Sequence, residues 1–296
     1  MACRGSGVRV PSDPPLQSSS PASAGLEPFS GRLRAATRAA PRYTSSMLDL
    51  SHPITAGMTV YPGDPEVRSR EALSVAADGV AVTELHLGSH TGTHIDAPSH
   101  TIRGGRTIDE VPLDALSGDA LVLRADRAGE CRPIDGEMLG LERFDAVPPI
   151  VAICTGWDRH FGGELALRHP FLAVEAAERL WCLGMRVLVV DTLSPDPTAV
   201  EAGIADERSA AGEATDRQAP RDPAAGPPPA TADRPLAVPD PLPVHTVVLG
   251  GGGAIVENVR GLDALGERAR LGIFPLPLAG ADGAPARVVA WRDEAR

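Results

Sequence analysis

The sequence predicts an α/β domain with many short strands and few helices. Three observations predict it: six strand-like segments, one amphipathic helix that leads into a buried strand, and two long stretches without any apolar pattern. The strand-like segments are short, β-branched and bounded by Gly, Pro or Asp. They lie at 119–125, 149–154, 185–191, 245–250, 271–276 and 286–291.

The amphipathic segment at 169–184 predicts a helix that starts near His169 and ends at Gly184. Its predicted inward-facing side chains are Phe171, Val174, Leu180 and Leu183. The helix leads directly into the strand at 185–191, so the two form a helix-then-buried-strand unit. Four glycines at 250–253 are expected to form a tight hairpin turn.

The first patternless stretch, residues 1–46, is rich in Ser, Pro, Ala and Arg and has only two acidic residues, Asp13 and Glu27. This composition is typical of an organellar transit peptide. The alternative is a start codon assigned too early, with Met47 as the true start, and the patterned sequence that begins at Met47 favours this alternative. In both cases we expect the segment to be disordered and the domain to span 47–296.

The second patternless stretch, at about 196–243, is dominated by Pro, Ala, Asp and Gly. Such composition does not form a core element. Patterned sequence lies on both sides, so we interpret the stretch as an insertion within one domain and not as a linker between two domains.

Composition excludes several classes of partner. The formal net charge of −11 argues against binding to nucleic acid or to anionic membranes. No apolar run approaches the roughly 18 residues of a membrane span. Four scattered cysteines predict reduced, buried thiols and hence a cytoplasmic protein. They are Cys3, Cys131, Cys154 and Cys182.

The most informative stretch is HTGTHIDAPSH, residues 90–100, which holds three histidines and one aspartate. On an extended strand, even offsets place His90, His94 and Asp96 on one side, whereas a helix would separate Asp96 from the other two. Pro98 ends strand pairing, so His100 is free to lie beside the other three. Two imidazoles and a carboxylate suit a divalent transition metal. The alternative is a solvent-facing strand with incidental histidines.

This stretch resembles the H-x-G-T-H-x-D-x-P-x-H signature of the cyclase family, which includes bacterial kynurenine formamidases and isatin hydrolases. The segments LDLSHPITAGMTVYPGDP, VVDTLSPDP and VHTVVLGGGGAIVENVRGL resemble further parts of the family pattern. The resemblance runs from Met47 to Trp291, apart from the insertion. It implies the family's swivelling β/β/α-type domain.

The resemblance also implies a centre of two divalent metal ions per subunit, zinc first and manganese as the alternative. His90 and His94 would bind the first ion and His245 the second, with Asp96 and Glu257 bridging. His100 would transfer protons, and Tyr61 would contact the substrate ring, with Trp157 and Phe161 as further aromatic candidates. On spacing alone, Glu257 is indistinguishable from a surface glutamate. The family resemblance further predicts a homodimer or homotetramer.

The implied activity is arylformamidase-type hydrolysis of N-formyl-L-kynurenine to L-kynurenine and formate, a step of tryptophan catabolism. Hydrolysis of a cyclic amide, as in isatin hydrolases, and a secondary-metabolite cyclase are alternatives. A non-catalytic metal-binding domain is an alternative of a different class. The insertion before His245 departs from the compact formamidase pattern. It therefore weakens the assignment of the substrate more than the assignment of the metal ligands.

Overall fold

The structure is a computed structural model that describes residues 47–198 and 240–291. All of these residues belong to one compact unit, Thr44–Arg296. The predicted N-terminal extension, 1–46, lies outside the described residues, as does the greater part of the predicted insertion, 199–239. The predictions made for those two stretches therefore stay predictions.

Twelve strands and three α-helices lie in the described ranges. The strands are β1 Met47–Asp49, β2 Arg68–Leu73, β3 Val82–His86, β4 His94–Asp96, β5 Ser117–Arg124, β6 Pro133–Ile134, β7 Ile150–Cys154, β8 Phe171–Leu172, β9 Val187–Val190, β10 Ala254–Glu257, β11 Arg268–Pro275 and β12 Gly283–Trp291. The helices are α1 Val75–Asp78, α2 Val174–Leu183 and α3 Pro243–Gly250.

Eight strands form one sheet in the order β1-β12-β11-β5-β7-β9-β10-β4. Strand β4 pairs with β10 and also with the first residues of β12, so the sheet closes on itself as a barrel. Strands β5, β7, β9 and β10 run parallel to one another, and the remaining pairs of this sheet are antiparallel. The predicted fold class, mixed α/β with many strands and few helices, is confirmed.

The parallel strands are apolar on both faces because each face meets a different core. Alternate residues such as Val187 and Val189 point into a cluster inside the barrel. The residues between them, such as Leu188, pack outward under α2 and α3. Parallel strands covered on both faces require continuous apolar runs. This explains why the segments at 149–154 and 185–191 contain no polar alternation.

Five of the six predicted strands are confirmed, and the sixth is wrong. Residues 245–250 belong to helix α3, although Thr246, Val247 and Val248 are β-branched. Pro243 stands in the first turn, where its missing N–H is tolerated. The Asp196 carboxylate accepts the N–H groups of Val244 and His245, at 2.9 and 3.0 Å. The cap that Asp196 provides and the burial of α3 against α2 therefore outweigh the β propensity of these residues.

Helix α2 is confirmed but starts later than predicted, at Val174. Phe171 lies in β8, which pairs with β6, and His169 precedes that strand and does not begin the helix. Leu180 and Leu183 are buried as predicted, and Gly184 ends the helix with φ 120°.

The glycines at 250–253 do not form the predicted hairpin turn, because they connect α3 to the parallel strand β10. At two of them, Gly251 and Gly253, close packing leaves no room for a side chain. A Cβ on Gly251 would lie 2.2 Å from the Trp181 ring, and one on Gly253 would lie 2.4 Å from the Arg186 carbonyl oxygen.

Two smaller predictions concern the cysteines and membrane spans. Cys154 is a buried free thiol, as predicted. Cys131 and Cys182 are exposed, so the prediction that they are buried is wrong. Within the described ranges, no helix has the length and apolar content to cross a membrane. The homo-oligomer and the cytoplasmic location stay predictions.

The packing of the outer core can be tested at Leu188. It is fully buried in β9 between its strand partners Val151 and Ile255. We expect Leu188→Ala to lower the free energy of unfolding by about 2–5 kcal/mol, measured by urea denaturation, because it opens a cavity. Leu113→Ala, at a side chain that is 66% exposed, should change it by less than about 0.5 kcal/mol. Equal losses would contradict this packing.

Candidate metal centre

Strand β4 presents two of the predicted ligands on its outer face, opposite the core inside the barrel. His94 and Asp96 lie on one side of the strand, and Ile95 between them points into the core with no exposed surface. His90 does not lie on this strand, because Gly92 adopts φ 65° and turns the chain. The extended-strand prediction is therefore correct for His94 and Asp96 and wrong for His90. The turn nevertheless brings His90 Nδ1 to 2.6 Å from Asp96 Oδ1.

The structure brings the five predicted ligand residues together. Glu257 on β10 is the cross-strand partner of His94, and His245 projects from α3. His94 Nε2 lies 3.3 Å from an oxygen of Asp96 and 3.3 Å from an oxygen of Glu257. His245 Nε2 lies 3.6 and 3.5 Å from the other oxygens of the same two carboxylates. Two carboxylates thus stand between two imidazoles.

Two carboxylate oxygens in this cluster lack a hydrogen-bond donor among the described residues. They are Asp96 Oδ2 and Glu257 Oε1, and both are buried. A buried anionic oxygen without a partner is strongly unfavourable, and a cation is the partner that suits it. His90, His94 and Asp96 form one group of donor atoms within 4.8 Å of one another, and Asp96, His245 and Glu257 form a second. These donors fit divalent cations that accept nitrogen and oxygen ligands.

The electrostatics of the cluster attract positive charge. Burial disfavours a charged imidazole, yet the Asp96 and Glu257 carboxylates raise the pKa of His94 well above its usual value. Burial acts in the same way on His245, but its hydrogen bond to Asp196 and the nearby carboxylates of Asp96 and Glu257 raise its pKa as well. Burial opposes charge on Asp96, but His94 and its neighbours lower the pKa of that carboxyl well below its usual value. Burial and the Asp96 charge oppose ionisation of Glu257, but His245 and His94 lower its pKa as well, so both carboxylates stay ionised.

Each of the two deepest histidines is oriented by a bond from its other nitrogen. His245 Nδ1 lies 2.7 Å from Asp196 Oδ2, so its Nε2 faces the carboxylates. His94 Nδ1 donates to the Gly92 carbonyl oxygen at 2.8 Å, so its Nε2 faces them too. Such outer partners set the tautomer and direction of a metal-binding imidazole.

His100, the predicted proton-transfer residue, lies beside the cluster. It ends a short 3₁₀ turn, Pro98–His100, and its ring centroid is 4.1 Å from that of His90 and 5.8 Å from that of His245. Its Nδ1 lies 3.2 Å from Asp282 Oδ2. It belongs to neither donor group that contains Asp96.

Tyr61, the predicted substrate contact, is half-buried beside the cluster. Its hydroxyl hydrogen-bonds to Thr198, and burial and the charge of Glu257 raise its pKa. Thr198 Oγ1 also lies 2.8 Å from Nε2 of His169, which is buried. Of the other two aromatic candidates, Phe161 stacks on His52 with ring centroids 3.8 Å apart. Trp157 is buried and donates to a backbone carbonyl.

The comparisons with known proteins agree with this architecture. The sequence model of the cyclase family matches residues 48–197. The chain belongs to the cyclase family. A kynurenine formamidase of Paracidovorax citrulli (strain AAC00-1) is 34% identical over 159 residues, which is 50% of this chain and 69% of that relative. The family resemblance predicted from the sequence is therefore confirmed.

Solved structures share the cyclase-family fold. Isatin hydrolase A from Ralstonia solanacearum aligns with a TM-score of 0.63 at 22% identity, over 82% of this chain and 90% of that chain. Isatin hydrolase A from Labrenzia aggregata, bound to benzyl benzoate, has a TM-score of 0.62 at 22% identity, over 82% and 92%. A protein described as a potential metal-dependent hydrolase with cyclase activity has a TM-score of 0.57 at 23% identity, over 82% and 96%.

Sequence reasoning missed two carboxylates of this cyclase-family site. Asp196 lies in VVDTLSPDP, a segment that resembles the family pattern but predicts no role for this residue. Asp282 lies 2.9 Å from His90 Nε2. In the sequence it precedes Gly283, and an Asp-Gly dipeptide predicts only an ordinary turn. Neither had a sequence signal among 39 acidic residues.

Asp196 tests how the second half of the site is held. Asp196→Ala removes the acceptor for two N–H groups of α3 and for His245 Nδ1. We expect it to lower the free energy of unfolding by about 0.5–2 kcal/mol, as loss of a helix cap does. We also expect metal affinity, measured by chelator competition, to fall by about 10–100-fold. Asp240→Ala, at an exposed acid before the same helix, is the matched control. Equal metal affinities in the two variants would contradict the orienting role.

Proposed function

We propose that this chain is a metal-dependent hydrolase that cleaves C–N amide bonds, with N-formyl-L-kynurenine as its first candidate substrate. One observation carries the proposal: Asp96 Oδ2 and Glu257 Oε1 are buried, lack a donor among the described residues, and face two oriented imidazoles. A cation bound next to these oxygens would compensate their buried negative charge. The similarity to a kynurenine formamidase supports the choice of an amide substrate.

Five side chains would hold two divalent ions in this proposal. His90 and His94 would hold one ion, His245 would hold the other, and Asp96 and Glu257 would be shared by both. Each of these two carboxylates has one oxygen near His94 and the other near His245, which suits a shared ligand. Zinc is the first candidate and manganese the second, because mixed nitrogen and oxygen ligands suit both.

When bound, divalent cations supply Lewis acidity that polarises the amide carbonyl and makes water more acidic. The chain must then move protons, since water adds to the carbonyl carbon, the C–N bond breaks and the departing nitrogen needs a proton. His100 accepts the proton that water loses and returns it to that nitrogen, so the products are formate and the free amine. Its Nδ1 faces Asp282, which leaves Nε2 for this exchange.

Tyr61 would contact the aromatic ring of the substrate. Its hydrogen bond to Thr198 fixes the phenol next to Glu257 and His245. A half-buried ring that is already held in place binds another ring with little loss of side-chain entropy.

A cyclic amide is the second candidate substrate. Opening such a ring breaks the same type of bond and needs the same proton exchange, so the ligand set serves both reactions. The fold shared with two isatin hydrolases favours this class over other amides. A secondary-metabolite cyclase and a non-catalytic metal-binding domain remain the outcomes of the following test if hydrolysis fails.

The proposal predicts metal-dependent turnover of N-formyl-L-kynurenine. The chelator-treated full-length chain should be inactive and should regain activity with zinc or manganese. His100→Ala should bind metal normally but lose about 10²–10⁴-fold in kcat, the usual contribution of a general acid–base group. Kynurenine formation is followed by absorbance and bound metal by mass spectrometry.

His86→Ala is the matched control, because His86 is an exposed histidine at the end of β3. It should keep both metal and turnover. Hydrolysis of isatin but not of the formamide would move the assignment to cyclic amides. Normal metal binding with no turnover of either substrate would favour the non-catalytic or cyclase alternatives.

Tyr61 tests the substrate contact. Tyr61→Phe keeps the ring and should leave KM for the formamide within about two-fold. Tyr61→Ala removes the ring and should raise KM by about 2–10-fold, which corresponds to the usual energy of an aromatic contact. Steady-state kinetics with an aliphatic formamide supply the control, since that substrate gains nothing from the ring. An equal rise in KM for both substrates would contradict ring contact.

A further inference from the structure

One carboxylate oxygen outside the five predicted ligands faces two histidines at once. Asp282 Oδ2 lies 2.9 Å from His90 Nε2 and 3.2 Å from His100 Nδ1. The Ser89 hydroxyl also hydrogen-bonds to this carboxylate. A single side chain therefore contacts a predicted metal ligand and the predicted proton-transfer residue.

The backbone holds Asp282 firmly at this point. Its carbonyl oxygen accepts the N–H of Ala97 at 2.9 Å, directly after strand β4. The next residue, Gly283, is the β-sheet partner of Asp96. A Cβ on Gly283 would lie 2.7 Å from the Ile95 carbonyl oxygen and 2.9 Å from Cε1 of His90. The His90 ring thus packs directly on Gly283, with Asp282 at its Nε2 edge.

The two ring nitrogens of His90 face different partners. Nδ1 lies 2.6 Å from Asp96 Oδ1, and Nε2 lies 2.9 Å from Asp282 Oδ2. The side chain of Asp96 is 1% exposed and that of Asp282 is 42% exposed. The unpartnered buried oxygens lie on the Asp96 side, which is where a cation gains most. Nδ1 would therefore be the nitrogen that binds a cation, and Nε2–H would then donate to Asp282.

We propose that Asp282 is a positioning residue that holds both His90 and His100 through one oxygen, an inference that rests on the proposed metal centre. Accepting Nε2–H of His90 directs Nδ1 to the cluster, as carboxylate partners of metal-binding histidines do. Accepting Nδ1–H of His100 fixes the tautomer in which Nε2 is free to exchange protons. Ligand direction and proton transfer are thereby coupled through one side chain.

Direct ligation is the competing role for Asp282. His90, His100 and Asp282 offer three donor atoms within 4.8 Å of one another. In that arrangement His90 would turn its metal-binding nitrogen away from Asp96, and Asp282 would be counted among the ligands. The two roles differ in stoichiometry, because loss of a positioning residue weakens the binding of an ion, whereas loss of a ligand removes its site.

The test compares Asp282→Ala and Asp282→Asn with Asp145→Asn, which removes the same charge at an exposed loop residue. Zinc stoichiometry and affinity are measured on the full-length chain by competition with a chromophoric chelator. We expect unchanged stoichiometry and an affinity about 10–100-fold weaker in Asp282→Ala. Asp282→Asn keeps an acceptor oxygen and the side-chain volume, so it should lie between Ala and the control, and it carries the test if the alanine variant does not fold.

The second readout is the tautomer of His100, read from side-chain ¹⁵N chemical shifts of the zinc-loaded protein. We expect the Nδ1–H form in the wild type and a mixture of tautomers in Asp282→Ala. An affinity within about two-fold of Asp145→Asn, an unchanged His100 tautomer, or a lower stoichiometry would each overturn the shared positioning role.

Neither readout needs a substrate, so the inference and the proposed reaction fail separately. A wild-type chain that binds no zinc would overturn the metal centre and this inference together. A chain that binds zinc with the expected dependence on Asp282 but hydrolyses no amide would overturn only the proposed reaction.

Discussion

The pair of buried carboxylates on adjacent strands is the constraint on which the rest of the site depends. Asp96 on β4 and Glu257 on β10 place two negative charges in an interior where each must be compensated. Their nearest groups are imidazoles whose pKa values they raise. Each surrounding bond, from the Gly92 carbonyl to the Asp196 carboxylate, serves to aim an imidazole nitrogen at these oxygens.

Barrel closure is what brings these groups together. The short strand β4 pairs with β10 on one side and with β12 on the other. His94 and Asp96 therefore lie between Glu257 on β10 and the Asp282–Gly283 turn at the start of β12. The same closure brings Asp282 to His90, which precedes it by 192 residues in the sequence. An open sheet would leave β4 as an edge strand, and the two sides of the site would have no common neighbour.

The sequence predicted the parts that depend on local periodicity and missed those that depend on distant partners. The buried strands and α2 follow from apolar spacing, and His94 and Asp96 follow from alternation along β4. Helix α3 was missed because its cap, Asp196, lies 48 residues before Val244. Glu257 was assigned through the family resemblance and not through spacing. Asp282 had no local signal, since its role arises only when β12 pairs with β4.

The residues that flank the predicted insertion show how a long segment at this position would be compatible with the site. Asp196 and His245 stand at its two ends, and the structure joins them by a 2.7 Å contact between Oδ2 and Nδ1. Two further bonds connect Asp196 to the first turn of α3. Loop-closure entropy grows only with the logarithm of loop length, by about 0.6 kcal/mol per doubling. With both ends fixed to each other, the geometry of His245 is set by these bonds and is insensitive to the length of the segment between them.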